Sequence, residues 1–366
     1  MKRLAYLDAL RGIAALMVVF THLYAPVIGH VWVFDYLIDP GKLGVLWFFM
    51  ISGVVIPYSL KPVPDGARRF LISRFMRLYP AYWLSLVLFV LMLQLTGAAL
   101  PSWPQIVANL TMVQAALGFD DVVGLYWTLF IELVFYGLCL ALFIAGKLYD
   151  LAFRARCSLA FLLAALAMSA ARALTEHKLP VALPLALSLM FFGSVWRQWL
   201  LAEHSAALTR NLKMLFVAFA VLLPPTLIMA YSKDMGTGET WGRYCFTYAV
   251  AIVSFVLLTR SVRLDHPALV WLGAVSYSLY LLHPSMGLLS EFLLRGTDAS
   301  GLLVALVATV LTLAAAHLCF RYIEHPFIQL GKRLNNRKTG PQPVSCLLYT
   351  SPSPRDRTRS RMPSSA

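Results

Sequence analysis

With 366 residues, of which 60% are hydrophobic and only 13% charged, and a mean hydropathy of +0.72, the chain does not have the composition of a soluble domain, in which about a quarter of residues are charged. A net charge of +14 would suggest nucleic-acid binding in a soluble protein. Here the basic residues lie in short loops between apolar runs, as membrane topology predicts, and no basic soluble module is present, so nucleic acid is not expected as a partner.

Hydropathy predicts an all-α protein, a polytopic transmembrane helix bundle of about ten spans. A further stretch, Trp103–Leu117, is short and contains Gln105, Asn109 and Gln114, so we expect it to be re-entrant or to lie on the outer face. The ten predicted spans are Ala9–Ile28, Leu43–Leu60, Tyr79–Thr96, Tyr126–Ala145, Cys157–Leu174, Val181–Trp196, Met214–Tyr231, Tyr244–Leu258, Ala268–Ser290 and Leu302–Phe320.

The loop charges predict the orientation of the bundle. If Met1–Arg3 is cytoplasmic, Arg and Lys concentrate in every second loop, as the positive-inside rule requires, and both termini are cytoplasmic. This alternation holds only if Trp103–Leu117 does not cross the membrane. The basic residues assigned to the inner loops are Lys61, Arg68, Arg69, Arg74 and Arg77; Lys147, Arg154 and Arg156; Arg197, Arg210 and Lys213; Arg260 and Arg263; and Arg321, Lys332 and Arg333.

The chain reads as one integral membrane domain over residues 1–333, followed by a cytoplasmic tail at 334–345. From Cys346 onward the sequence is rich in Pro, Ser and Arg, a composition typical of disorder. Its segment "CLLYTSPSPRD" also resembles a translated sequencing adapter. We therefore expect 346–366 to be read-through rather than native sequence.

The sequence contains no recognisable metal site or phosphate loop. The cysteines (Cys139, Cys157, Cys245, Cys319 and Cys346) have neither paired nor metal-ligand spacing, and four of them lie in or beside apolar runs, where cysteine packs as a small apolar residue. No glycine-rich phosphate loop and no Gly-x-Ser-x-Gly elbow is present. No metal is predicted.

Three ionisable residues interrupt the first span, "DALRGIAALMVVFTHL". Asp8 and Arg11 can pair at its cytoplasmic entrance. His22 follows Arg11 by eleven residues, which places both on one face of the helix and about 16 Å apart along it. Ionisable residues inside a membrane are costly and indicate a functional site, although a packing histidine is the plainer alternative.

Two further groups of polar residues lie in or beside other predicted spans. In "RRFLISRFMRLYPAYW", Arg74 and Arg77 share a face and could bind phosphate through their planar guanidinium groups. In "GLYWTLFIELVFYG", Thr128, Glu132 and Tyr136 share a face near the outer end of a span. A carboxylate there requires neutralisation or a partner, for which a histidine is suitable.

A last pair of motifs lies near the carboxyl end. In "GAVSYSLYLLHPSMG", Ser276, Tyr280 and His283 form a polar line before Pro284, which reads either as a core hydrogen-bond ladder or as part of a site. In "RYIEHPF", Glu324 lies at the inner end of the last span, where we expect a salt bridge to the arginines of the second loop.

Together these motifs resemble the acyltransferase-3 family of bacterial integral membrane O-acyltransferases. The resemblance runs from Tyr6 to about Lys332. The segments that carry it, in the order of the family, are "LDALRGIAALMVVFTH", "WFFMISGVVI", "RFMRLYPAYW", "YWTLFIELVFY", "SYSLYLLHP" and "YIEHPF". It implies a multi-pass protein of the bacterial inner membrane.

The resemblance also implies roles for individual residues. Arg11 and His22 correspond to the Arg/His pair of the family, Arg74 and Arg77 to its basic motif, and Glu132 to its membrane carboxylate. It implies that the donor is acyl-CoA, with acetyl-CoA the favoured candidate, and that the acceptor is a hydroxyl of a cell-envelope carbohydrate.

A mechanism follows as an expectation. The phosphates of coenzyme A dock against Arg74, Arg77 and Arg11, and His22 removes the proton of the acceptor hydroxyl, with Glu132 orienting its ring. Asp8, Thr128, Tyr136, Ser276, Tyr280 and His283 are candidates to line the site.

Several alternatives remain open at the level of the sequence. A covalent acyl-histidine could replace general-base catalysis. A proton-coupled transporter or exporter could use His22, Glu132 and His283 as a path. A different membrane acyltransferase, acting on lipids or proteins, could use His283 as its key residue. The sequence does not indicate the oligomeric state.

Overall fold

The computed structural model describes residues 5–175, 177, 179–201, 204–232, 240–262 and 264–336, and over these ranges the chain is helical with no strand. This confirms the predicted all-α bundle. The last described residue is Asn336, so most of the predicted tail and all of 346–366 lie outside the described residues.

The described chain contains twelve α-helices. Four single turns accompany them: Val33–Leu37, Pro57–Ser59, Gln114–Leu117 and Phe320–Glu324. The helices are α1 (Ala5–Leu23), α2 (Pro40–Val55), α3 (Gly66–Thr96), α4 (Trp103–Leu110), α5 (Trp127–Ile144), α6 (Leu151–Thr175), α7 (Ala182–Leu200), α8 (Ala206–Tyr231), α9 (Trp241–Arg260), α10 (Pro267–Leu293), α11 (Gly301–Cys319) and α12 (His325–Asn336).

Eight of these helices are long and apolar enough to cross a membrane. The prediction of about ten spans also included α7 and α10, which coincide with Val181–Trp196 and Ala268–Ser290 but fall short in hydropathy. α7 is buried without interruption from Pro184 to Arg197, and α10 is buried at most positions between Leu272 and Ser290. A helix that meets protein rather than lipid can carry polar side chains, which explains the shortfall.

The segment Trp103–Leu117 does not form a span. It consists of α4, whose eight residues cover only about 12 Å, and one further turn. The polar residues within it are used locally: Asn109 is fully buried and its amide donates to the carbonyls of Gln105 and Asp120 at 2.9 and 3.0 Å. Tyr82 of α3 donates to the Asn109 carbonyl at 2.5 Å, which fixes the segment against the bundle.

The direction of α10 agrees with this arrangement. α1 and α10 run parallel, because Gly273 lies against Asp8 near the start of α1 while His283 lies against His22 near its end. Seven predicted spans separate the two helices when α4 is not counted, which returns the chain to the same direction. An additional crossing at α4 would have made them antiparallel.

Glycine allows the inner helices to approach closely. A β-carbon at Gly273 would lie 1.8 Å from the Asp8 carbonyl oxygen, and one at Gly53 of α2 would lie 1.9 Å from the Met190 carbonyl oxygen of α7. Small residues at such crossings are characteristic of membrane helix packing. They bring α1, α2, α7 and α10 together around a common centre.

The chain after the last span folds back on α3. Helix α12 continues to Asn336, three residues beyond the predicted end of the membrane domain at residue 333. The Asn335 amide nitrogen donates to the Arg69 carbonyl at 3.2 Å and to the Ser73 hydroxyl at 3.0 Å. These bonds seat the end of α12 on the first turns of α3.

The α1–α10 contact gives a direct test. We expect Gly273→Leu to lower the unfolding temperature of the detergent-solubilised protein, because the new side chain must push α1 away and overpacking costs about 1–3 kcal/mol. Gly137→Leu is the control, since Gly137 lies on α5 with no atom within 4 Å of a β-carbon. Equal unfolding temperatures for the two variants would contradict the close packing of α1 on α10.

Candidate functional site

A cavity of about 470 Å³ opens at one end of the bundle, and we call it the basic cavity. Six spans contribute to it (α1, α2, α3, α5, α7 and α10), together with the Phe320–Glu324 turn and α12. Its lining residues are Leu7, Asp8, Arg11, Ile51, Ser52, Val55, Ile56, Arg74, Arg77, Glu132, Tyr136, Arg197, Gly273, Ala274, Phe320, His325 and Ile328.

Positive charge dominates the basic cavity. Four arginines line it, from α1, α3 and α7, against the two carboxylates of Asp8 and Glu132. The sequence predicted three of the four arginines as site residues, namely Arg11, Arg74 and Arg77. A cavity lined in this way attracts anions, and its guanidinium groups match phosphate oxygens.

Tyr136 contacts both a carboxylate and an arginine of the basic cavity. Its hydroxyl donates to Glu132 at 2.6 Å, and the Arg74 guanidinium lies 5.8 Å from the centre of its ring. Ser52 of α2 donates a second, longer hydrogen bond of 3.3 Å to the same Glu132 oxygen. Glu132 is thereby held by two neutral hydroxyl groups while its charge faces the arginines of the cavity.

Arg197 is a cavity residue that the sequence prediction missed. It was assigned to a loop, but it lies in α7, where it is 5% exposed and donates to the Val54 carbonyl at 3.0 Å. Its guanidinium stacks 4.3 Å from the ring centre of Tyr58. The signal in the sequence that could have indicated this residue is its position directly after the apolar run of α7.

Arg154 contacts Tyr58, the residue on which Arg197 stacks. It too was assigned to a loop, but it lies in α6 and is 1% exposed. It donates to the Tyr58 hydroxyl at 2.8 Å and to the Ser194 carbonyl at 2.6 Å. The buried guanidinium thus holds Tyr58 in place against Arg197.

A second, smaller cavity of about 60 Å³ leads from the basic cavity toward the other end of the bundle. The two cavities share Arg11, Ser52 and Glu132. The hydroxyls of Thr128 and Tyr280 lie 2.8 Å apart in the wall of the second cavity. Its lining residues are Arg11, Val45, Phe48, Phe49, Ser52, Thr128, Leu129, Glu132, Ser276, Tyr277 and Tyr280.

Two histidines lie together beyond Tyr280. His22 is exposed near the end of α1, and its ring centre is 5.1 Å from that of the fully buried His283. The expected pairing of His22 with Glu132 is therefore wrong: the hydrogen bonds of Glu132 come from Tyr136 and Ser52. Glu132 lies at the junction of the two cavities, whereas the histidines lie beyond Tyr280 and line neither cavity.

The hydrogen bonds of the two histidines determine where their protons lie. The Nδ1 atom of His22 is 2.9 Å from the Val18 carbonyl oxygen, and that of His283 is 2.8 Å from the Tyr280 carbonyl oxygen. A carbonyl oxygen can only accept, so each Nδ1 carries the proton. In the neutral rings each Nε2 then has a free lone pair, and that of His283 is buried without a partner among the described residues.

Comparison with known proteins identifies the family. The model of the acyltransferase domain Acyl_transf_3 matches residues 4–321. The chain belongs to this family. No curated protein and no solved structure matches it.

Two further predicted residues, Ser276 and Glu324, lie near the site of this acyltransferase. Ser276 lines the second cavity and donates to the Gly273 carbonyl at 2.9 Å. The expected salt bridge of Glu324 to the second-loop arginines is absent among the described residues. Buried Glu324 instead accepts hydrogen bonds from the backbone and hydroxyl of Ser278, because the Phe320–Glu324 turn directs it toward α10.

His325, which follows that turn, was not predicted and lines the basic cavity. Over the part of the chain that the structure describes, no group of three or more His, Cys, Asp or Glu side chains could hold a metal ion.

Tyr136 offers a test of this site. We expect Tyr136→Phe to lower the rate of acyl transfer about tenfold, because Glu132 loses its shorter hydrogen bond, and bonds to charged groups contribute about 1.5–3 kcal/mol. The phenyl ring would still face Arg74, so the unfolding temperature should change little. Tyr136→Leu, which removes the ring as well, should be more severely impaired; a wild-type rate for Tyr136→Phe would contradict the role of the hydroxyl.

Proposed function

We propose that this protein transfers an acyl group, in the first instance acetyl, from acyl-CoA to a hydroxyl of a cell-envelope carbohydrate. The observation that carries the proposal is a polar path, a succession of polar side chains through the bundle. It begins at the four arginines of the basic cavity and passes Glu132, Thr128 and Tyr280 along the second cavity. Beyond the two cavities it reaches the His22–His283 pair, where the ring centre of His283 is 6.2 Å from that of Tyr280.

The basic cavity suits the donor. Coenzyme A carries a diphosphate, and Arg11, Arg74 and Arg77 present planar donor groups into the cavity. The loops at this end are the basic ones, so the positive-inside rule favours a cytoplasmic opening, which is the compartment of acyl-CoA. The same rule supports an inner-membrane protein with both termini in the cytoplasm.

The junction of the two cavities suits the far end of the pantetheine arm, whose length lies in the basic cavity. This arm is slender and uncharged, and its amide N–H groups need acceptors once they leave water. Glu132, at the junction of the cavities, can accept one of them. The small volume beyond Glu132, about 60 Å³, favours a short acyl group, which supports acetyl over a long chain.

The histidine pair suits the transfer step. The acceptor hydroxyl oxygen attacks the thioester carbonyl while the Nε2 lone pair of His22 takes its proton. The carbon–sulfur bond then breaks, and the coenzyme A thiolate takes the proton back. His283 lies beside His22 and can stabilise its orientation, the role that the sequence had given to Glu132. Attack by His22 itself, forming an acyl-histidine, uses the same lone pair.

The function is tested with membranes that contain the protein, labelled acetyl-CoA and envelope glycan. Covalent label on the glycan is expected, and it would be absent if the chain were a transporter using the same polar path. We expect His22→Ala to abolish labelling while the protein still accumulates. The control is His317→Ala, since His317 is an exposed histidine on α11 that lines neither cavity.

The result for His22 is read together with that for His283. Labelling that survives in His22→Ala and is lost in His283→Ala would assign the base to His283 and reject the role of His22. Near-normal labelling in both variants would reject the histidine pair as the site of transfer.

Arg74 tests donor binding separately. We expect Arg74→Ala to raise the KM for acetyl-CoA about tenfold or more with a smaller effect on kcat, because a charge-assisted contact to phosphate is lost. Arg74→Lys keeps the positive charge but loses the planar guanidinium, so its KM for acetyl-CoA should lie between those of Arg74→Ala and the wild type. An unchanged KM in Arg74→Ala would place the phosphates elsewhere.

A further inference from the structure

A third cavity lies outside the path of transfer, at the same end of the bundle as the basic cavity. Its volume is about 310 Å³, and it lies between the Pro57–Ser59 turn, the first turns of α3 and the last turns of α12. We call it the α3–α12 pocket. Its lining residues are Ser59, Lys61, Val63, Gly66, Arg69, Phe70, Ser73, Arg74, Lys332, Asn335 and Asn336.

The charge of the α3–α12 pocket has a single sign. Lys61, Arg69, Arg74 and Lys332 line it, and no carboxylate is among its lining residues. Lys61 and Lys332 are exposed at its mouth. Two lysines and two arginines from separate segments of the chain therefore face one space, which favours a ligand with more than one negative charge.

The pocket is adjacent to the basic cavity through Arg74, which lines both. The guanidinium of Arg74 lies over the rings of Phe70 and Tyr136 at 5.6 and 5.8 Å, and its Nε atom is buried without a partner among the described residues. One extended anionic molecule could therefore occupy both spaces with a phosphate at Arg74.

The pocket also contains an unused acceptor. The Asn335 amide nitrogen is held by the Arg69 carbonyl and the Ser73 hydroxyl, which fixes the direction of the side chain. Its Oδ1 atom is buried and has no donor among the described residues. A buried acceptor left unpaired costs about 1–3 kcal/mol, so a ligand with an N–H or O–H group in this place would be favoured.

We propose that the α3–α12 pocket binds the adenosine 3′-phosphate end of acyl-CoA, with the diphosphate at Arg74 and the pantetheine arm in the basic cavity. This inference rests on acyl-CoA being the donor. Lys61, Arg69 and Lys332 contact the 3′-phosphate, and Asn335 accepts a hydrogen bond from the nucleoside. Lys332, Asn335 and Asn336 lie outside the part of the chain that matches the family model, residues 4–321.

The donor lacking the 3′-phosphate provides the test. We compare acetyl-CoA with acetyl-3′-dephospho-CoA as donors for the wild type and for Lys61→Gln/Lys332→Gln. We expect the wild type to show a KM about tenfold lower for acetyl-CoA, because charge-assisted contacts to one phosphate are lost in the analogue. In the double variant that ratio should fall well below its wild-type value, because only Arg69 then contacts the 3′-phosphate. The ratio should stay at its wild-type value in Lys213→Gln, which removes an exposed lysine on α8 that lines none of the three cavities.

The outcomes separate this inference from the proposed function. Transfer from neither donor would reject acyl-CoA as the donor. Equal KM values for the two donors in the wild type, or a ratio that persists in the double variant, would overturn the pocket assignment while the function stands.

A lipid phosphate is the other source of the same chemistry. Reconstitution in phosphatidylcholine with increasing phosphatidylglycerol distinguishes the two. If the anionic lipid raises the KM for acetyl-CoA in the wild type and not in the double variant, and the donor ratio is one, the pocket binds a lipid headgroup and the proposal is wrong. Competition by adenosine 3′,5′-bisphosphate that is stronger in the wild type than in the double variant supports it.

Discussion

The close contact between α1 and α10 is the constraint on which the site depends. Gly273 allows the backbone of α10 to approach the Asp8 carbonyl oxygen at a distance that no larger residue permits. Because the two helices run parallel, this one contact sets their register along their whole length. It places Arg11 at the edge of the basic cavity and brings His22 beside His283 at the opposite end. The separation of the basic cavity from the histidine pair is therefore a property of a single helix pair.

The structure places the membrane carboxylate, Glu132, away from His22. A glutamate that pairs with His22 would sit at the point of transfer, whereas Glu132 sits where the two cavities meet, with Tyr136 and Ser52 donating to it. At that position its negative charge borders the arginine-lined basic cavity on one side and the second cavity, which hydroxyl groups and the rings of Phe48 and Phe49 line, on the other. His22 has His283 as its neighbour instead, and no carboxylate of the described residues forms an ion pair with it.

Much of this arrangement could be predicted from the sequence, and the errors have a common cause. Helical spacing correctly grouped Thr128, Glu132 and Tyr136 on one face, and loop charges correctly excluded Trp103–Leu117 as a span. Spacing gives the depth of a residue along its own helix, but it does not say which other helix that face meets. The pairing of Glu132 with His22 failed for this reason, and so did the salt bridge of Glu324.

Hydropathy also misled at Arg154 and Arg197. Each arginine lies next to a predicted span and was assigned to the adjoining loop. Both instead lie inside helices and are buried around Tyr58. Burial of an arginine is unfavourable unless its charge is received by carboxylates, backbone carbonyls or aromatic rings. The Ser194 and Val54 carbonyls and the Tyr58 ring do so here, and they become visible only when α2, α6 and α7 are brought together.

The polar path requires a division between inner and outer helices. Helices such as α5 and α11 carry exposed apolar faces, including Ile144 and Val310, and they meet lipid. α7 and α10 are enclosed, and for that reason they can carry Arg197, Ser276 and His283 at depths where a lipid-facing helix could not. The same polarity lowers their hydropathy below that of an ordinary span. The two helices that look least like membrane spans are thus the ones that a buried polar path needs, and their low hydropathy is a consequence of their place beside it.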